Sequence, residues 1–392
     1  MSQSRLNPFV PGRGALPPYL AGREAEQQTL MGLLAYVEAG RGAPRDVVLC
    51  GPRGNGKTVL LRWFQREIAA RGNQIDLLWR TPSDLPSVDA LATTLVPPRR
   101  FRSMLPDTLS LSVGVGRAGW DLKNNAGTLA ELLTVRCGQR PLVVLLDEAH
   151  TLDPVVGQAL LNASQSASGV APFLLVLAGT PGLEPRLHAM SATFWDRAEH
   201  LAIGLLERTA SADALTRPFG TESPSVTFEE VALQQVLDDS QCYPYFLQLF
   251  GAALWDVVVA DNKQVIDESV VARATTIFDE KKGTYYRHRR NELQRAGLLH
   301  VARAFANAFG ERATMSQAEV DEVIVRAQTD VLTDAPSDAS APEPLDHASP
   351  IRVRDHLAAV GYVWNPPGEN DVWQPGIPSL MRHIGTAATA AT

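Results

Sequence analysis

Cys50-Gly51-Pro52-Arg53-Gly54-Asn55-Gly56-Lys57-Thr58-Val59-Leu60-Leu61 is the stretch on which the fold turns. It satisfies G-x-x-x-x-G-K-[ST], a phosphate-binding loop pattern. Immediately before it, Asp46-Val47-Val48-Leu49-Cys50 is a short, mostly apolar run suited to a buried parallel strand. Immediately after it, Val59, Leu60, Trp63, Phe64 and Ile68 recur at helical spacing. Strand, glycine loop and helix in that order bring backbone N–H groups and the positive end of a helix onto an anionic phosphate. On this reading Gly51, Pro52, Arg53, Gly54, Asn55, Gly56, Lys57, Thr58 and Val59 cradle the phosphates of ATP. Lys57 reaches the β- and γ-phosphates, and the Thr58 hydroxyl holds Mg²⁺.

A second constellation lies downstream. Pro141–Leu146 is an apolar strand that ends in Asp147-Glu148-Ala149-His150. Paired carboxylates at a strand's C-terminal end have a clear use beside a phosphate loop. Asp147 would hold the Mg²⁺ shell, and Glu148 would orient and deprotonate the attacking water. Asp-Glu-x-His is also a helicase pattern, but His150 alone reads as a cap for the helix that follows, Val155–Ser166. A further strand, Phe173–Ala178, ends in Gly179-Thr180-Pro181-Gly182. Thr180 reads either as a sensor of the γ-phosphate or as ordinary turn chemistry. Arg197, ahead of a fifth strand at Leu201–Leu205, reads as an arginine finger acting in cis or toward a neighbouring subunit. Its alternative is a salt bridge with Asp196 or Glu199.

Bulk properties limit the function classes. The chain has 392 residues, enough for two or three domains, with 45% hydrophobic and 20% charged residues, an ordinary globular composition. A formal net charge of −7 argues against a polyanion-binding surface over the whole chain but leaves room for a local basic face. Cys50, Cys137 and Cys242 are far apart and lack metal spacing, and no export signal precedes them. A reduced, cytoplasmic compartment is expected. The apolar runs are too short to span a bilayer, so no membrane association is expected.

The rest of the chain divides as follows. Residues 1–18, with prolines at 8, 11, 17 and 18, form an extended lead-in. Residues 19–206 form the phosphate-loop core, with a helix to about Glu38 and a strand at Ile75–Trp79. Within it, residues 97–125 alternate polar and apolar after Arg99, Arg100 and Arg102, the pattern of a hairpin-like insertion. Residues 207–282 are helical and form a lid, with helices at 210–217, 228–239, 244–259 and 267–282. Pro244 opens one of these helices. Between residues 281 and 303 stand seven Lys and Arg residues against one acid, Glu292. That face, Arg287–Arg295 above all, either contacts DNA phosphates or docks on an acidic protein surface. Residues 283–385 then give helices at 293–309, 316–328 and 351–360 and a hairpin around Pro366-Pro367-Gly368, interrupted by a Pro/Ala/Ser/Asp linker at 329–349. Residues 386–392 form a tail. Helix, helix, helix and hairpin is the order of a winged helix; Arg352 and Arg354 fall on its recognition helix, but Asp355, Glu369 and Asp371 lie nearby.

Leu20-Ala21-Gly22-Arg23-Glu24, Gly51–Thr58, Val143–His150, Ala178–Leu183 and Tyr243–Gln248 together resemble an AAA+/STAND-type ATPase, closest to the branch of origin-recognition and loader ATPases. The resemblance covers about residues 18–282 and extends to about 385 with the winged helix. It implies an α/β fold with a parallel sheet in the order 5-1-4-3-2 between helices, a helical lid and a C-terminal winged-helix domain. It also implies that Leu20, Arg23 and Pro244 clasp the adenine. Activity would be ATP hydrolysis to ADP with Mg²⁺, and partners would be DNA, another protein or further copies of the chain. Two departures point to slow turnover. The Gln241–Gln248 stretch lacks the lid arginine of many AAA+ members, and Gly179-Thr180-Pro181 replaces an arginine common at that point in STAND members. A binding module that works without turnover, a protein–protein adaptor, is the alternative.

Overall fold

A computed structural model of the chain describes residues 6–12, 14–95, 125–138, 140–221, 225–310, 312–332, 348–366 and 371–386. The insertion expected at 97–125 lies outside these residues except for its last position. The structure forms two compact units, one built from residues 24–50 and 60–202 and the other from the described parts of 1–23, 51–59 and 203–392.

The first unit is a parallel sheet with helices. In chain order it runs α1 (Glu24–Glu38), β1 (Val47–Cys50), most of α2 (Lys57–Ala69), β2 (Asp76–Arg80), α3 (Val88–Leu95), α4 (Asn125–Cys137), β3 (Leu142–Leu146), α5 (Pro154–Ala167), β4 (Phe173–Gly179), α6 (Leu183–Met190), α7 (Ala192–Arg197) and β5 (Glu199–Ala202). The strand order is β2-β3-β4-β1-β5, which is the expected 5-1-4-3-2 read from the other edge. β1, β3 and β4 are buried along their whole length, which is why they read as continuous apolar runs without alternation. β5 starts two residues before the expected position, because Val47 to Cys50 pair in register with Glu199 to Ala202. Helix starts carry local signals: Asp153 caps α5 by accepting hydrogen bonds from the Val155 and Val156 amides at 2.9 and 3.3 Å, with Pro154 at the first helical position.

At the base of this sheet Asp46 accepts hydrogen bonds from the Ser164 hydroxyl and, at 2.9 Å, from the Leu175 amide. Burial pushes its carboxyl up to about 6, against the opposing pull of those two donors. Between the ordinary carboxyl value and pH 6 the folded chain therefore holds a proton that the unfolded chain has released, so this group's contribution to stability falls as pH rises. We expect the stability difference between wild type and Asp46→Asn to move in favour of Asn by about 2–3 kcal/mol from pH 4 to pH 7. Urea unfolding at the two pH values measures it, and a difference that does not move with pH rejects this account of Asp46.

The second unit is mainly helical. It contains α8 (Arg208–Gly220), β6 (Thr227–Phe228), α9 (Glu230–Ser240), α10 (Pro244–Asp261), β7 (Val265–Ile266), α11 (Glu268–Arg295), α12 (Leu299–Phe309), α13 (Gln317–Leu332), α14 (Pro350–Ala359), an antiparallel pair β8 (Val363–Trp364) and β9 (Gln374–Pro375), and α15 (Pro378–Thr386). One apolar core runs through it, from Phe9 and Phe219 through Phe246, Phe250 and Phe278 to Phe305, Leu357 and Ile384. The described part of the lead-in, residues 6–12 and 14–18, holds no helix or strand, turns at Gly12 and Gly14, and packs on α10. Phe9 is buried and would collide with any side chain at Gly251, and the Asn7 amide donates to Ala252 O at 3.1 Å.

Several boundaries differ from the sequence reading. The helix expected to stop at Lys282 continues to Arg295. Gly283 inside it costs about 1 kcal/mol relative to Ala, but Tyr286 and Leu293 beyond it are buried and hold the extra turns. The helix expected from Leu293 starts only at Leu299, after a turn at Gly297 with φ of 72°. Residues 329–332, expected in the linker, remain in α13. A two-residue pairing, Thr227 with Val265 and Phe228 with Ile266, takes Phe228 out of the helix expected there. α15 was not expected at all, and Thr386, assigned to the tail, is its last residue.

Candidate functional site

In the helical unit, the phosphate loop spans Gly51–Thr58, between the end of β1 and the first turn of α2. Three glycines are needed for different reasons. A Cβ at Gly51 would collide with Ile203 O, and one at Gly54 with the Tyr243 hydroxyl. Gly54 and Gly56 have φ of 82° and 95°, backbone that favours glycine. A Cβ at Gly56 would meet nothing within 4 Å, so the space there is open to a ligand. Lys57 is buried, and its Nζ donates to Gly51 O at 2.7 Å and Pro52 O at 2.9 Å, so the ammonium sits over the loop itself.

The loop is braced by residues far away in sequence. Asn55 is buried and donates to Ile203 O at 3.0 Å, while its Oδ1 has no hydrogen-bond partner. Arg23 is buried and donates to Asn55 O at 3.2 Å and Gly204 O at 2.5 Å, so it ties the start of the core to the loop. Leu20 is half-buried. Pro244 is the first residue of α10. Just before it, Tyr243 is buried and donates from its hydroxyl to Arg53 O at 2.6 Å. Its hydroxyl also lies 3.3 Å from that of Tyr285. Burial raises the Tyr243 phenol well above the ordinary tyrosine value, so it stays a neutral donor. No sequence pattern announces this brace, because Tyr243 stands beside Tyr245 and Phe246 in one aromatic cluster.

In the sheet unit, the C-terminal ends of the parallel strands share one edge. Asp147, at the end of β3, is buried; its amide donates to Arg80 O at 3.0 Å and its Oδ1 accepts from the Glu148 amide at 3.0 Å. Glu148 is exposed and has φ of 56°, rare for a residue with a side chain and a conformation that concentrates at functional positions. Its carbonyl accepts from Thr151 N and Oγ1 at 2.9 and 3.0 Å, which holds that backbone. His150 does not cap α5, since Asp153 does. Instead it is buried, with Nδ1 accepting from the Thr180 amide at 3.4 Å and Nε2 3.5 Å from Glu148 Oε2. Thr180 is buried at the end of β4, and its hydroxyl has no hydrogen-bond partner. Glu148, His150 and Thr180 are thus brought together at this edge. Arg197 is exposed at the end of α7, while Glu199 pairs with Arg45 at 2.9 Å.

The donor chemistry within each unit, taken separately, suits nucleotide phosphate and Mg²⁺. In the loop, the space beside Gly56 is open; in the sheet unit, the Thr180 hydroxyl is a buried polar group without a hydrogen-bond partner, which a folded chain retains only at a cost. Taken singly, the Thr58 hydroxyl in the loop and the Asp147 carboxylate in the sheet unit are hard oxygen donors of the kind Mg²⁺ takes.

Residues 19–177 match the AAA ATPase domain family. No curated protein matches the chain. Among solved structures, the chain is similar to the ORC2 protein of Aeropyrum pernix in its ADPNP–ADP complexes, with 15% identity, 97% of this chain and 99% of that one covered, and a TM-score of 0.55. It is also similar to the Walker-type ATPase PABY2304 of Pyrococcus abyssi, with 17% identity, 94% and 96% coverage and a TM-score of 0.56. At these identities the likeness is one of fold.

Proposed function

We propose that this AAA+ P-loop ATPase is a molecular switch, in which hydrolysis of ATP to ADP controls engagement of DNA or a protein partner through the C-terminal helices and hairpin. The observation that carries the reading is the combination of a braced phosphate loop with a strained, exposed carboxylate at the end of β3. Lys57 exchanges its bonds to Gly51 O and Pro52 O for the β- and γ-phosphates of the substrate. Thr58 and Asp147 would hold Mg²⁺, which would supply neutralisation of the charge on the γ-phosphoryl group. Glu148 takes the proton of the attacking water, oriented by His150. Thr180 donates its free hydroxyl to the γ-phosphate, and Arg197 neutralises transition-state charge, either within its own chain or on a neighbouring copy in a homo-oligomer. Leu20, Arg23 and Pro244 flank the adenine. We place the protein in the cytoplasm.

Residues 283–385 act in this scheme as a winged-helix-like domain. Arg354 supports a different division of labour from the one its place on α14 suggests. Its Nη1 binds both oxygens of Asp321 at 2.9 Å, and its guanidinium lies 5.5 Å from the Trp373 ring centre. An arginine engaged in that way is a poor phosphate ligand, and Asp371 caps α13 beside it through the Gln317 amide, at 2.5 Å. This favours a second reading in which the hairpin face docks a protein and the chain is a slow-turnover adaptor.

The deciding experiment sizes the purified chain with ATP, ADP or neither, with and without duplex DNA, and measures phosphate release in parallel. The switch reading expects phosphate release and a nucleotide-dependent change in size or DNA co-elution. No ATP binding and no turnover reject it; ATP binding without any response to DNA moves the protein to the adaptor reading.

A further inference from the structure

α11 carries an exposed polar face that ends beside the phosphate loop. His288, Asn291 and Arg295 are exposed and recur three and four residues apart, with Arg289 and Glu292 beside them. Together with Arg53 of the loop they line a cleft of about 280 Å³. A water occupies about 30 Å³ in the liquid, so the cleft has room for a phosphate group with its first waters or sugar. Three guanidiniums face it against one carboxylate. Arg289 bonds Glu292 at 2.7 Å and lies 5.2 Å from the Tyr285 ring centre, so that carboxylate is already paired. Arg53 and Arg295 are left as the uncompensated charges. The Arg53 Nε is buried with no hydrogen-bond partner, a donor that a folded chain rarely leaves unmet.

We propose that this cleft seats a backbone phosphate of nucleic acid, a site separate from the one for the triphosphate, and that Arg53 links the two. The inference rests on the nucleotide reading only for that link. Guanidinium forks match phosphate oxygens two at a time. The neighbouring Arg287 is exposed one turn before Asn291, so the face continues as a track for the next phosphate rather than closing around a small anion. Arg53 belongs to the same rigid loop as Gly54 and Gly56, and its carbonyl is fixed by Tyr243. A phosphate on its side chain and a triphosphate on its backbone neighbours therefore bias the same loop. Linkage requires the effect to be equal in both directions: ATP changes duplex affinity by the factor by which duplex changes ATP affinity.

The test uses the full chain, a labelled 20-base-pair duplex and a fluorescent ATP analogue, titrated separately and together between low and physiological salt. For wild type we expect binding that weakens as salt rises, and for Arg295→Ala a slope of log K against log salt smaller by about 1. Arg295→Ala should bind the analogue alone as wild type does, while the mutual effect of duplex and analogue shrinks toward none. Wild type that binds no duplex at low salt, or Arg295→Ala with unchanged duplex affinity and slope, overturns the site. If the analogue does not bind but duplex binding still depends on Arg295, the nucleotide reading fails and the phosphate seat stands.

Discussion

Glu148→Gln is expected to leave ATP bound and to lower phosphate release by about 10²–10⁴-fold, the usual contribution of a positioned general base. The backbone that presents this side chain is held by bonds that the substitution does not touch: Asp147 Oδ1 on the Glu148 amide, and two donors from Thr151 on its carbonyl. Glutamine matches glutamate in size, so the left-handed turn at φ of 56° persists with the same side-chain reach. What disappears is the basic oxygen. Binding of a fluorescent ATP analogue and release of inorganic phosphate, measured on the same preparation, separate the two effects. Wild-type turnover in Glu148→Gln would remove this residue from the chemistry and leave Asp147 without its partner role.

The parts of the molecule legible in the sequence are those where one local pattern suffices. β3 and β4 are buried on both faces, so five and seven apolar residues in a row could only be inner strands. The phosphate loop is legible because its glycines meet backbone constraints that other residues do not satisfy. α15 was missed although Leu380, Met381 and Ile384 show helical spacing and are all buried; its short length after a proline-rich hairpin masked the pattern. The bracing of the loop was not legible for a different reason. Tyr243 and Arg53 are 190 positions apart, and Arg23 reaches Gly204 across 181. No periodicity records a hydrogen bond of that kind. Composition also could not tell that Arg354 pairs with Asp321, so α14 looked more like a phosphate-reading helix than its charges permit.

That long-range brace makes the second large effect predictable. Tyr243→Ala removes a fully buried ring whose edge meets Phe246 at 4.8 Å between centroids, and should cost about 3–5 kcal/mol of stability. Tyr243→Phe is the sharper test, because it keeps the ring and deletes only the hydroxyl that donates to Arg53 O. The carbonyl then loses its partner, at a cost of about 1–3 kcal/mol. If the hydroxyl serves packing alone, that loss appears in thermal unfolding without nucleotide and nowhere else. If it holds the loop in its phosphate-binding shape, ATP affinity falls as well, and the stabilisation by a fixed ATP concentration shrinks by 1.4 kcal/mol for each tenfold loss at saturating ligand. Gly54→Ala attacks the same contact from the other side, since its Cβ would run into the Tyr243 hydroxyl on a backbone at φ of 82°. Unfolding curves with and without ATP should therefore show both variants losing more stabilisation from ATP than a control at the exposed Arg62. Equal ATP stabilisation in all three would mean that the loop keeps its shape without Tyr243, and that the brace belongs to the core alone.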